Sequence, residues 1–272
     1  MQGPHPKLRH PTAFLNAVEN NAPDALDQAN KVLDSDFRMA ILLASWHGHE
    51  ELVKGLVHKY ENLHPGYRDK SLYGEALAEA CEHNHWRIVE FLMEHDANPS
   101  FVYHTPLVEA LKSGSDECIN ILLKHINPQQ ITQSLIEAVI KSGHQSSFQM
   151  LLSHIPTLAC SASCAIACAV EHNKPWMAQA VIENAPKLKL YQESDFVMVV
   201  VRAAEKNDDA SLNALVQYLH EETLDRAHAK MIDLNHRKKF TDIRHAHKTN
   251  KLLHEKLSMA VEQTQQIRAR KM

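Results

Sequence analysis

Apolar positions along this chain recur at three- and four-residue steps, and the rhythm is broken about every thirty residues by a glycine or an asparagine. The breaks fall at Asn21, Gly48, Asn84, Gly114, Gly143, Asn173 and Asn207, at intervals of 27, 36, 30, 29, 30 and 34 residues. Seven positions before each break stands a large apolar residue: Phe14, Ile41, Leu77, Leu107, Ile136, Ile166 and Val200. Four positions before it stands Ala17, Ala44, Ala80, Ala110, Val139, Ala169 or Ala203. Residues three apart share one face of a helix, so each pair marks a narrow apolar stripe that permits close packing. Eight and nine residues past the breaks come Leu56/Val57, Leu92/Met93, Leu122/Leu123, Leu151/Leu152, Val181/Ile182 and Leu215/Val216, the core side of a second helix. Neither helix of such a unit hides its apolar side alone, whereas stacked units bury both. The pattern predicts an all-α solenoid of about seven helical hairpins.

The residue type at the breaks has a physical cause. Helices commonly end on a residue with positive φ, a conformation that costs most side chains about 1–2 kcal/mol. Glycine escapes that cost and asparagine tolerates it best. Three of the seven glycines in the chain stand at breaks, and asparagine fills the other four. Pro99, Pro128, Pro156 and Pro186 follow the second helices, where proline stops them.

Composition agrees with this reading. Apolar residues make up 44% and charged residues 23%, the globular range, while 6% aromatics and few glycines disfavour a β-rich fold. The longest apolar runs, such as Phe196 to Val201, are too short to cross a bilayer, and residues 1–11 carry no apolar signal segment. Five cysteines without a pairing pattern suit a reducing, cytoplasmic setting. The net charge of −4 hides an asymmetry. Residues 1–222 balance at −11 and residues 223–272 at +7, so the expected division is a repeat domain over 1–222 and a basic helical extension over 223–272.

These units resemble the ankyrin repeat. Thr105-Pro106-Leu107 matches the helix-opening signature of that family, and Ala44-Ser45-Trp46-His47-Gly48-His49 with Glu51-Leu52-Val53 looks like its mid-repeat turn and second helix. Asp96-Ala97-Asn98 stands where the family has Gly-Ala-Asp. The family histidine after the Pro-Leu pair is missing, replaced by Leu42, Ala78, Val108, Glu137, Ala167 and Val201, so its inter-repeat hydrogen bonds are expected to be absent. The resemblance, covering roughly residues 10–222, implies a non-enzymatic scaffold that binds a partner protein through its concave face. By position it implies contacts from the two residues before each turn: Trp46 and His47, Glu82 and His83, Lys112 and Ser113, Lys141 and Ser142, Glu171 and His172. Connecting fingers would add Arg38, Phe101, Val102 and His104, with Trp46 and Phe101 as aromatic anchors. Divergent units rich in Asn and His are also similar to ankyrin proteins that intracellular bacteria deliver into host cells. That likeness implies an effector acting on a host protein in the host cytoplasm. The expected molecule is a monomer with no cofactor and no small-molecule substrate.

Other chemistries suit the sequence less well. Cys160, Cys164 and Cys168 recur every four residues but occupy small-residue packing positions. His47 and His83 lie one unit apart, too far for shared coordination, so no metal site is expected and the 20 histidines read as solvated. A thiol hydrolase built on Cys81 or Cys118 would need a base and an oxyanion site on regular helix, and no phosphate-binding glycine loop, HExxH or GxSxG occurs. The stretch His58 to Tyr73 makes the long interval and reads as a recognition loop or a surface elaboration. Beyond Leu224 the repeat phrase stops, but Leu224, Ala227, Met231 and Leu234, then Leu253, Leu257, Ala260, Thr264 and Ile267, keep helical spacing. The first of these helices would cover the end of the stack. The cluster Arg237-Lys238-Lys239 suits a solvated helix end or the acidic body, and less well nucleic acid.

Overall fold

Asn21, Gly48, Asn84, Gly114, Gly143, Asn173 and Asn207 all take positive φ, between 50° and 81°. Every break read from the sequence is therefore a left-handed turn. At Gly48 the backbone closes in two steps: the Gly48 N–H donates to the Ser45 carbonyl (3.4 Å), and the His49 N–H reaches back to that of Ala44 (3.0 Å). The second bond recurs as Ala22 to Ala17, His85 to Ala80, Ser115 to Ala110, Lys174 to Ala169 and Asp208 to Ala203. This double closure satisfies carbonyls that a helix end otherwise leaves open. The small residue four before the turn thus has two roles, an inner packing surface and the acceptor of the closing bond.

The computed structural model describes residues 12–29, 32–66, 68–128, 131, 133–154, 162–184 and 196–271, without the side chains at 103, 104, 133, 162, 184, 260, 261 and 263–271. Tyr67, Pro156, Cys160 and Pro186 lie outside the described residues, as does the His104 side chain. Among the described residues the chain is all-α, with sixteen helices and no strand. It falls into two units, residues 1–159 and 160–272.

In the first unit the hairpins are α1 (Ala13–Glu19) with α2 (Ala25–Gln28), α3 (Asp34–His47) with α4 (Glu50–Leu63), and α5 (Lys70–Glu82) with α6 (Trp86–Glu94). Then follow α7 (Phe101–Ser113) with α8 (Asp116–Leu123), and α9 (Gln133–Ser142) with α10 (Gln145–His154). The odd-numbered helices pack in sequence, α1 on α3, α5, α7 and α9, and the even-numbered helices do the same in a parallel row. Ile41, Leu77, Leu107, Ala44, Ala80 and Ala110 are fully buried between the rows. Each large aliphatic side chain so placed contributes about 1.5–3 kcal/mol. The long interval is not a loop: α4 runs on to Leu63 with Tyr60 buried one turn beyond Leu56, and α5 begins at Lys70, leaving only residues 64–69 to connect them.

The second unit repeats the scheme with α11 (Ala162–Glu171), α12 (Pro175–Asn184), α13 (Phe196–Glu205) and α14 (Asp209–Tyr218). Where the repeat phrase has stopped, α15 (Glu221–Lys230) packs on α13 and α16 (Leu234–Lys271) packs on α14, as another hairpin would. Leu224, Ala227 and Met231 are buried, whereas Leu234 is exposed. Phe240 is fully buried, and Arg244 binds Glu221 and Asp225. Two cations of the basic cluster are engaged within the fold. Arg237 donates to the Met231 and Ala229 carbonyls at the end of α15, and Lys239 pairs with Asp209 at 2.6 Å. Beyond residue 250 the described α16 side chains, Leu253 and Leu257 among them, are exposed.

The hairpins are tied by inter-repeat hydrogen bonds that come from another place than the positions of the family histidine. Residues flanking the turn supply them, most often the one after it. The His49 Nε2 lies 3.0 Å from the Glu19 carbonyl, and the His85 Nε2 lies 3.0 Å from that of Trp46. Ser113 and Ser115 both donate to the Cys81 carbonyl, at 3.1 and 3.4 Å. Each bond ties one hairpin to the carbonyl end of the helix before it. The His85 ring lies so close over Gly48 that an added Cβ would come within 2.4 Å of it.

Two outcomes follow from this packing. Gly48→Ala combines a left-handed backbone with the displaced His85 ring, so it is expected to lose more than the roughly 1–2 kcal/mol of backbone strain alone. Gly66→Ala, at φ 77° with open space around it, should lose no more than that strain. Urea denaturation of both variants compares them, and an equal loss would contradict the packing described here. Burial, helped by His83, His49 and His47, holds the His85 imidazole below the usual histidine value. The unfolded chain therefore takes up this proton first, at about pH 6.5, and stability falls as pH drops below that point. Unfolding midpoints should fall from pH 7.5 to 5.5 in the wild type and fall less in His85→Gln. An equal fall in both would remove His85 from the account.

Candidate functional site

Side chains named from the sequence fall into two groups, those engaged in packing and those that open onto a cleft. Arg38 belongs to the first. Its guanidinium binds Asp69, which caps α5 by accepting from the Leu72 N–H at 3.0 Å, and it also reaches the Tyr60 hydroxyl at 3.5 Å. Arg38 thus clamps one hairpin to the next. In the second unit Glu171 is bound by Arg202 and by Lys206 (3.4 Å), and Arg202 holds its carboxyl below the ordinary range, while His172 is exposed.

Trp46 is half-buried. Its ring stacks on His83 of the next hairpin at 5.4 Å between centroids and on His47 at 5.6 Å. His47 in turn stacks on His49, and His83 lies 6.2 Å from His85. Trp46, His47 and His83 therefore form a row of rings across α3 and α5, with the inter-repeat histidines on its flank. Lys112 and Lys141 are exposed and pair within their own helices, with Glu109 at 2.8 Å and Glu137 at 3.7 Å.

Glu82, Phe101 and Val102 meet in a cleft of about 380 Å³ between α5 and α7, lined also by Glu75, Ala78, Glu79, Thr105 and Glu109. Three features of the sequence build it. Glu75, Glu79 and Glu82 are spaced four and three apart, which aligns their carboxylates along one side of α5. Gly74 opens the wall, since a Cβ there would come within 2.6 Å of the Phe101 ring. Val102 stands 58% exposed at the lip, with the unusual φ of 38° for a β-branched residue. The Thr105 hydroxyl donates to its carbonyl at 2.7 Å. The cleft offers an apolar floor with four carboxylates around it. Of the positions named from the sequence, Glu82, Phe101 and Val102 come together here; Glu75, Glu79 and Glu109 were not among them, and the Glu-x3-Glu spacing on α5 was the available signal for the first two.

The Cys81 thiol lacks the character of a nucleophile. Cys81 and Cys118 are fully buried, and burial first, then the neighbouring Cys118, pushes the Cys81 thiol well above its ordinary value. A reactive cysteine requires the opposite shift.

Residues 41–134 match the family model for ankyrin repeats (3 copies). Among solved structures, the crystal structure of the human ASB11 ankyrin repeat domain is similar at 19% identity with a TM-score of 0.49, over 74% of this chain and 96% of that one. No curated protein matches the chain. Residues 41–134 thus carry ankyrin repeats, which are protein–protein interaction modules.

Proposed function

We propose that this protein is a binding scaffold whose first unit takes a basic, partly apolar segment of a partner protein in the cleft between α5 and α7. The observation that carries the reading is the convergence of Phe101 and Val102 with Glu75, Glu79, Glu82 and Glu109. An aromatic ring beside carboxylates suits an arginine or lysine side chain, whose stem packs on the ring while its head meets the acids. The strained backbone at Val102 supports the same place, because strain of this kind gathers at ligand-contacting positions. Trp46, His47 and His83 extend the surface along the neighbouring turns. Delivery of this scaffold into a host cell, as a bacterial effector acting on a host protein, rests on the divergent Asn- and His-rich units alone.

The test uses quantitative affinity capture with the wild-type chain and three variants. Glu79→Lys/Glu82→Lys reverses the charge without touching the core, and the partners that depend on the cleft should be lost, at an expected cost of about 2 kcal/mol or more, roughly thirtyfold. Val102→Gly relieves the positive φ, so it should raise the melting temperature while weakening capture. Lys124→Ala, at an exposed position on the same unit, serves as the control. Recovery of the same partners at the same level by the charge-reversed chain would reject the cleft as the binding site.

A further inference from the structure

We infer that His58, Glu61 and His95 form a zinc site that clasps α4 to the end of α6. Among the described residues this is the group of three metal-ligating side chains whose donor atoms converge, all within 4.8 Å of one another. His58 and Glu61 stand three apart on the last turns of α4, and His95 is the residue on which α6 ends. The two helices are neighbours in the outer row, so stacking of successive hairpins brings the third donor to the other two.

The surroundings orient the donors. The His95 Nδ1 lies 2.9 Å from the Phe91 carbonyl, a bond that only a protonated Nδ1 can donate, which leaves the Nε2 lone pair free to bind a metal. Fixing one imidazole nitrogen on a carbonyl is the usual way in which a protein presents the other to a metal. The Glu61 carboxylate is held in turn: the Tyr73 hydroxyl donates to its Oε1 at 3.4 Å, and the Arg68 Nε stands 3.9 Å away. Arg68 is drawn off toward Asp96, which it meets at 2.5 Å. The His58 and His95 rings meet edge to face at 5.5 Å.

Two imidazoles and one carboxylate are a borderline-soft, nitrogen-rich set that favours Zn²⁺ over calcium or magnesium. With bonds of about 2.0–2.1 Å in a tetrahedron, the donors would stand about 3.3 Å apart. Donors that stand up to 4.8 Å apart close by as much as about 1.5 Å around the ion, and a water completes the fourth position. With one open position the site is a clasp between helices and not a closed four-ligand centre. A bound ion would cross-link two adjacent hairpins on the outer row, on helices other than those that line the acidic cleft.

The experiment titrates Zn²⁺ into the full-length, chelator-stripped chain against a chromophoric competitor, with Co²⁺ as a spectroscopic probe. One equivalent should bind more tightly than the rest, raise the melting temperature and give Co²⁺ the intense visible band of a tetrahedral site. His58→Ala and His95→Ala should each abolish that first equivalent, while Glu61→Gln should weaken it. Independently of any variant, Zn²⁺ should protect His58 and His95 of the wild type from diethylpyrocarbonate, but leave His125 reactive, as read by peptide mass spectrometry. Survival of the tight equivalent in a folded His58→Ala/His95→Ala chain would overturn the inference. So would equal modification of His58 and His95 with and without Zn²⁺.

Discussion

The left-handed reversal at the end of each inner helix is the constraint on which the rest of the molecule depends. One residue with positive φ turns the chain at each of the seven breaks, and at six of them the amide after it closes on the carbonyl five residues back. This places the next helix against the last in fixed register. Only glycine and asparagine occupy these positions comfortably, which is why a backbone property is visible as a sequence period. The small residue four before the turn accepts the closing bond and lets the inner helices approach, so turn and core are specified by the same few positions.

Register then determines what meets what across hairpins. The residue after the turn, at His49 and His85, finds the carbonyl end of the helix before it, and the residues before the turn, at Trp46, His47 and His83, become a row of stacked rings. The ion pair of Arg38 with the capping Asp69 serves the same end at the opposite side of the hairpin. The acidic cleft and the histidine–glutamate cluster are later consequences, one on the inner row and one on the outer.

What was legible in the sequence was whatever repeats. The helices, all seven turns and the buried stripe follow from local spacing, and Glu82, Phe101 and Val102 followed from repeat position. The stretch His58 to Tyr73 was misread because its polar residues and Pro65-Gly66 hid the continuation of α4, although Tyr60 one turn beyond Leu56 was a usable sign. The role of Arg38 was not legible, since Asp69 is 31 residues away and faces it only once two hairpins are stacked. The same holds for His95 beside His58 and Glu61, where proximity depends on the rotation of one helix against its neighbour.

The closing bond itself can be observed directly by native-state hydrogen exchange at Ala22, His49, His85, Ser115, Lys174 and Asp208. If the turns set the register, these six amides are protected as strongly as the interiors of the helices they close, although each lies outside a helix. Exchange at the rate of an open loop would contradict the account.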